Sequence, residues 1–368
     1  MMMEPVTEAR IVQLKSASPQ TRADWREVLE ADNGAVRNVL NAATRYAEMN
    51  SLLGSWWTLP AWAIYHLAYR RAGRFIEESD DIAERLSFSP SALAFLQRAY
   101  TWAHAGCTAA IVSDGDKLWH LRSLDWGEEP GESDVGFVPA IAEATKRFDF
   151  TVEGKIVFQS AGITGMIGVL TGLKPRAFSI AINYAPWKTW SAHWRPDPTF
   201  LVRELLCNEK IKDYKQAFAA IRSWEPSSPV FISLCGIEPG QGAIIEFGDE
   251  RLPAIRELGG NPFITQGNHF SEESGFKKQN RKRVDEPAPG KTWDDYPLER
   301  TSFKRCEILQ TSLRERLKQG LPQGGMPQVF REAYSISPIL NRETVQWTLM
   351  EPAGSYIAIW ARQRSKSR

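Results

Sequence analysis

The stretch that most constrains this chain is a short apolar hairpin with a thiol at its base. Residues 108–113 and 117–124 are two strand-like runs on either side of Asp114-Gly115, a dipeptide that accepts the positive φ of a two-residue turn. With that turn, Cys107 pairs directly with Arg122. Another turn register moves the partner by a residue or two and leaves both at the same end of the hairpin. Cys107 then opens one strand, and Arg122 and Asp125 lie on the returning one. A thiol, a fixed positive charge and a carboxylate gathered in this way are a compact set of parts for nucleophilic catalysis.

A chain of 368 residues can bury a sizeable core, as one large domain or two. With 43% hydrophobic and 24% charged residues it reads as an ordinary globular protein, and its formal net charge of +1 gives no general attraction to nucleic acid. The four cysteines, Cys107, Cys207, Cys235 and Cys306, have no CxxC or other short metal-ligand spacing, and the five histidines form no HExxH pair. Neither a disulfide framework, a metal centre nor a cofactor is expected. Residues 1–8 hold no basic region leading into an apolar core, so no signal peptide is expected and a reducing cytoplasm is the default. The 14 tryptophans supply packing mass or line an apolar substrate site. Residues 51–69 carry no formal charge and are followed by Arg70-Arg71. Pro60 is expected to divide them into two short elements, read as a buried or substrate-lining helical hairpin or as a membrane-surface helix.

The first hundred residues read as helical, with amphipathic patterns at 22–49, 61–76 and 83–86, and an N-capped helix at 89–103. From Cys107 the texture becomes strand-like, with runs at 155–160, 166–170, 177–183, 230–236, 242–246 and 262–266. Helices are expected at 199–206 and 214–224, a polar exposed loop at 277–291, and a closing hairpin at 345–360. The fold class that follows is α+β in packed layers.

Six blocks carry a resemblance. They are Arg22-Ala23-Asp24-Trp25-Arg26-Glu27-Val28-Leu29; Gly106-Cys107-Thr108; Leu121-Arg122-Ser123-Leu124-Asp125-Trp126-Gly127; the glycine-rich run 162–172; Thr265-Gln266-Gly267-Asn268-His269-Phe270; and Ser337-Pro338-Ile339-Leu340-Asn341. In this order and spacing the chain resembles the cysteine N-terminal-nucleophile amidases, acid ceramidase and N-acylethanolamine-hydrolysing acid amidase above all. Penicillin V acylase and bile-salt hydrolase are more distant relatives. The resemblance implies a four-layer αββα sandwich with an N-terminal helical segment. It also implies self-cleavage between Gly106 and Cys107, leaving a helical α region, 1–106, and a catalytic β region, 107–368, as an α/β heterodimer.

The chemistry implied is amide hydrolysis through a thioester on Cys107. A free thiol has a pKa of about 8.5 and needs help to ionise, whereas an α-amino group near 7.7–8.0 makes a suitable general base on the same residue. Arg122 stabilises the thiolate, Asp125 accepts from the α-ammonium, and the side-chain amide of Asn268 donates to the oxyanion. Arg281 stands where the family has an active-site arginine, within a run of basic residues, and Asn183 matches an oxyanion or substrate-orienting asparagine of the bile-salt hydrolase branch. Expected substrates are N-acyl lipids of the ceramide or N-acylethanolamine type, with possible contact to a membrane surface. The alternatives are a penicillin- or bile-salt-type acylase, an acyltransferase, and a non-catalytic lipid-binding protein of the same fold.

Overall fold

The computed structural model describes residues 6–18, 22–50, 56, 58–64, 75–98, 100, 105–126, 136–186, 195, 197–248 and 252–362. Two sheets face each other. One has six strands, β1 (Val6–Glu8), β3 (Ala105–Ser113), β4 (Leu118–Trp126), β12 (Phe263–Gln266), β13 (Thr344–Glu351) and β14 (Tyr356–Arg362), in the order β1-β14-β13-β4-β3-β12. The other has eight: β2 (Ile11–Ser16), β5 (Thr145–Val152), β6 (Lys155–Ile163), β7 (Thr171–Lys174), β8 (Phe178–Tyr184), β9 (Val230–Cys235), β10 (Gly242–Phe247) and β11 (Ala254–Glu257). Their order is β11-β10-β9-β8-β7-β6-β5-β2, antiparallel except for β2 beside β5.

The helices are α1 (Arg26–Asn50), α2 (Thr58–Ile64), α3 (Ile76–Leu86), α4 (Pro90–Leu96), α5 (Phe137–Ala144), α6 (Pro198–Cys207), α7 (Tyr214–Arg222), α8 (Leu298–Gln319) and α9 (Gly325–Tyr334). Helices α8 and α9 cover the outer face of the six-stranded sheet, where Leu309, Leu313 and Phe330 pack on Ala110, Val112 and Leu121. Helices α6 and α7 cover the eight-stranded sheet. Helix α6 starts where its pattern predicts: Asp197 accepts from Thr199 N at 2.9 Å, and Pro198 takes the first turn, where no N–H is needed. The layers are therefore αββα. Helices α1, α3, α4 and α5 share one buried cluster with Cys107, Leu124 and Trp126, closing the sandwich at the start of β3.

Several expectations change. The hairpin turn spans four residues, 114–117, because Asp114 Oδ1 accepts from the backbone of Asp116 and Lys117 at 3.2 and 2.8 Å. The register therefore moves by two: Cys107 opposes Leu124 and Arg122 opposes Ala109. Cys107 is the third residue of β3 rather than its first. The N-terminal region is not purely helical. Residues 11–16 alternate exposed and buried and add β2 to one sheet, while β1 joins the other. Residues 166–170 form a loop before β7, entered through Gly165 at φ +87°. Pro60 sits in the first turn of α2 and does not divide it. The remainder of 51–69 apart from Trp56, together with 101–104 and Gly127, lies outside the described residues. Among those described, no helix is long and apolar enough to cross a membrane.

Candidate active site

The site forms where strand pairing stops. Strand β12 ends with Gln266 opposite Ala109, so it supplies no backbone partner at position 107. Side chains take over: Cys107 N donates to Asn268 Oδ1 at 2.9 Å, and Cys107 O accepts from Arg305 Nη1 at 2.7 Å. The buried main-chain groups on both sides of Sγ are thus satisfied by groups able to move, not by a ladder.

The Cys107 side chain is fully buried and turns toward the other sheet. Arg122, diagonal to it on the same face, brings Nη2 to 3.2 Å from Sγ and donates to Ile182 O at 2.9 Å. Its Nη1 donates to Thr171 Oγ1 at 2.7 Å. This holds a guanidinium, itself 1% exposed, against the sulfur. Tyr100 completes the enclosure from the N-terminal segment. Its hydroxyl lies 3.6 Å from Sγ and donates to Ile182 O at 3.2 Å. Burial, and after it the charge of Cys107, push the Tyr100 phenol well above its usual range and keep it neutral.

Asp125 opposes Gly106 and so lies on the outer face, on the side away from the thiol. Thr344 donates to its Oδ1 at 2.8 Å, and Arg305 Nη1 lies 3.5 Å from its Oδ2. Burial raises the Asp125 pKa against the opposing pull of Arg305 and of the Thr344 and Asn341 hydrogen bonds. The acceptor of the Cys107 N–H is Asn268, and Asp125 is linked to Cys107 through Arg305.

Arg281 is exposed and takes no part in this cluster. The second buried arginine of the site is Arg305 of α8, which donates to Cys107 O, Thr108 Oγ1, Asn268 Oδ1 and Leu298 O at 2.6–3.0 Å. Its sequence signal is an inward position on α8, in the stripe Leu298, Ser302, Arg305, Leu309, Leu313, where a charge is costly unless paired. Asn268 Nδ2 donates to Tyr184 O at 2.8 Å and approaches Ala105 O at 3.5 Å. Asn183 Nδ2 donates to Gln266 O and Gly267 O at 3.0 and 3.2 Å, so its amide holds the Asn268 loop. Three buried nitrogen and oxygen atoms here make no hydrogen bond: Arg122 Nε, Asn183 Oδ1 and Arg305 Nε.

An apolar groove lies among α1, α4, α5 and β4. Val36 and Leu40 of α1, Leu96 of α4, Phe137 of α5, Trp126 of β4 and Met166 line it. Trp126 meets Tyr100 edge-on at 6.2 Å, which connects the groove to the residue touching Sγ.

The architecture is the αββα sandwich of the N-terminal-nucleophile hydrolases. No protein-family profile matches the chain. In sequence it is similar to acid ceramidases: 26% identity over 220 residues with a probable acid ceramidase of Caenorhabditis elegans, 55% of this chain and 54% of that one. The acid ceramidase of Balaenoptera acutorostrata scammoni is 27% identical over 266 residues, 67% of this chain and 59% of that one. The chain thus spans less than two thirds of either relative. In structure it matches a Caenorhabditis elegans N-acylethanolamine-hydrolyzing acid amidase ortholog with a TM-score of 0.50 and 21% identity, covering 67% of this chain and 93% of that one.

Proposed function

We propose that the chain is a self-processing cysteine amidase that hydrolyses N-acylated lipids of the ceramide or N-acylethanolamine type. The observation that carries this reading is the placement of Cys107: its thiol faces Arg122 at 3.2 Å while its N–H and carbonyl are held by Asn268 and Arg305. In the first reaction Cys107 Sγ attacks the Gly106 carbonyl carbon. The Gly106–Cys107 C–N bond breaks, its nitrogen takes up a proton, and the resulting thioester is hydrolysed by water. Gly106 then ends one fragment as a carboxylate, and Cys107 begins the other with a free α-amino group.

That amino group is the general base of the second reaction. It takes the thiol proton as Sγ attacks the substrate amide and returns one to the departing amine. Water then hydrolyses the acyl-thioester, and the acyl group leaves as a carboxylic acid. Arg122 stabilises the thiolate, and Arg305 takes the place expected for Arg281, holding the Cys107 carbonyl and Asn268. Once released from Tyr184 O, the Asn268 amide can donate to the oxyanion, a contact typically worth about 10²–10³ in rate. The α and β regions then act as a heterodimer.

The acyl chain lies in the groove lined by Trp126, whose ring meets Tyr100. Leu59 and Trp62 of α2, with Trp56 before it, are 56%, 57% and 67% exposed and form an apolar stripe suited to a membrane surface. A series of N-acyl amides with acyl chains from two to eighteen carbons tests the reading. Expected is turnover that rises with chain length and is absent in Cys107→Ala. Turnover by Cys107→Ala removes the mechanism, and indifference to chain length removes the lipid assignment.

A further inference from the structure

Asn268 sits on a loop that no regular structure holds. After Gln266 the strand ends, and the backbone groups from 265 to 271 are bonded by side chains: Thr265 O by Arg256, Gln266 O by Asn183, Asn268 N by Ser302 and Phe270 N and O by Asn280. One pair reaches both ends of this loop. Arg256, on edge strand β11 of the eight-stranded sheet, donates from Nη1 and Nη2 to Thr265 O at 3.4 and 3.3 Å and from Nη2 to Gln266 Oε1. Its Nε donates to Glu246 Oε1 at 3.0 Å, and the other oxygen of Glu246 accepts from Ser271 N at 3.2 Å. Gln266 passes the constraint inward through Nε2, which donates to His269 O at 2.7 Å. The pair therefore staples the loop at 265–266 and at 271, with Asn268 between.

Glu246 is fully buried, while the Arg256 side chain stays 28% exposed. A buried ion pair seldom stabilises a fold more than apolar residues of the same volume would, and its best-attested use is fixing one geometry among several. The geometry fixed here joins the edge strands of the two sheets, β11 and β12, beside the nucleophile. We propose that Arg256 and Glu246 are positioning residues that set Asn268 against Cys107, a role resting on the amidase reading above. A side chain that must meet a transition state loses rate steeply when misplaced by about 1 Å, while ground-state binding is little affected.

The test compares wild type with Arg256→Gln, Arg256→Lys and Glu246→Gln, reading kcat and KM on a long-chain N-acyl amide, the self-cleavage rate by intact mass, and the melting temperature. Expected are a fall in kcat of about tenfold or more in Arg256→Gln with KM within about twofold, partial rescue by Arg256→Lys, and a smaller loss in Glu246→Gln. In an Asn268→Ala background, followed through slow self-cleavage, Arg256→Gln should add no further loss, since the group it positions is gone. A folded Arg256→Gln with unchanged kcat, or a full additional loss in the Asn268→Ala background, overturns the proposal. If Arg256→Gln does not fold, Glu246→Gln decides by the same two criteria. Wild-type protein that neither cleaves itself nor turns over the amide removes the amidase reading and this one together; wild-type turnover unaffected by the variants removes this one alone.

Discussion

Glu343 shows how a single residue beside the site makes the fold sensitive to pH. It follows Arg342, whose Nε lies 3.6 Å from its carboxylate, and precedes Thr344, which donates to Asp125. Burial raises its pKa from 4.5 to about 8, helped by the nearby charges of Asp125, Asp294 and Glu299 and opposed by Arg342. The folded chain therefore holds a proton that the unfolded chain releases. The stabilisation is complete below pH 4.5 and is lost as pH rises to about 8. Two buried histidines act in the opposite sense. His120, between Ser179 and Ser233, and His269, stacked on Phe303, are lowered from 6.5 to about 3, so their contribution is present above pH 6.5 and lost as pH falls toward 3. Between pH 6.5 and 8 Glu343 changes the most of these three, and the histidines complete the last part of their change in the opposite sense. Across that window the wild-type melting temperature should fall more than that of Glu343→Gln, measured by scanning calorimetry at matched ionic strength; parallel slopes would show that the carboxyl is already ionised.

At the scale of elements, the placement of Asn268 depends on α8 lying tight against the end of β12. A side chain at Gly267 would overlap Ser302 Oγ and come within 3.2 Å of the Ser302 backbone oxygen. Gly267→Ala should push the helix from the loop, break the Asn268 N–Ser302 hydrogen bond and lower both self-cleavage and amide turnover. Overpacking of this kind costs about 1–3 kcal/mol, readable by urea denaturation. The same element explains what the sequence made legible. Cys107, Arg122 and Asp125 belong to one hairpin, and their proximity follows from local pairing whichever register the turn adopts. Asn268 follows a strand that pairs with that hairpin, and its block was recognisable. Arg305 reaches the site only through the docking of α8, one arginine among several on a polar helix, and the family resemblance instead favoured Arg281. Strand β2 was hidden because six alternating residues ahead of a long helical stretch are a weak signal, and its parallel partner β5 lies more than 130 residues away.

For the whole molecule, the region ahead of Cys107 is built into the body of the fold. It supplies β1 to one sheet and β2 to the other. Glu78 of α3 lies fully inside, accepting from Arg203 Nη1 and Nη2 at 2.8 Å each and from Trp25 Nε1 at 2.6 Å, while Arg203 also donates to Ile167 O. Breaking such a pair by removing one partner costs about 3–5 kcal/mol. Cutting one peptide bond leaves these contacts intact, so the two fragments should co-elute in size-exclusion chromatography and separate only in denaturant; separation in native buffer would contradict this packing. The central claim is the cut itself, and intact-mass spectrometry of purified protein incubated across a range of pH tests it most directly. The account predicts two masses, the larger fragment beginning at Cys107, and a single uncut chain for Cys107→Ala. A wild-type chain that stays whole while hydrolysing an N-acyl amide would contradict it.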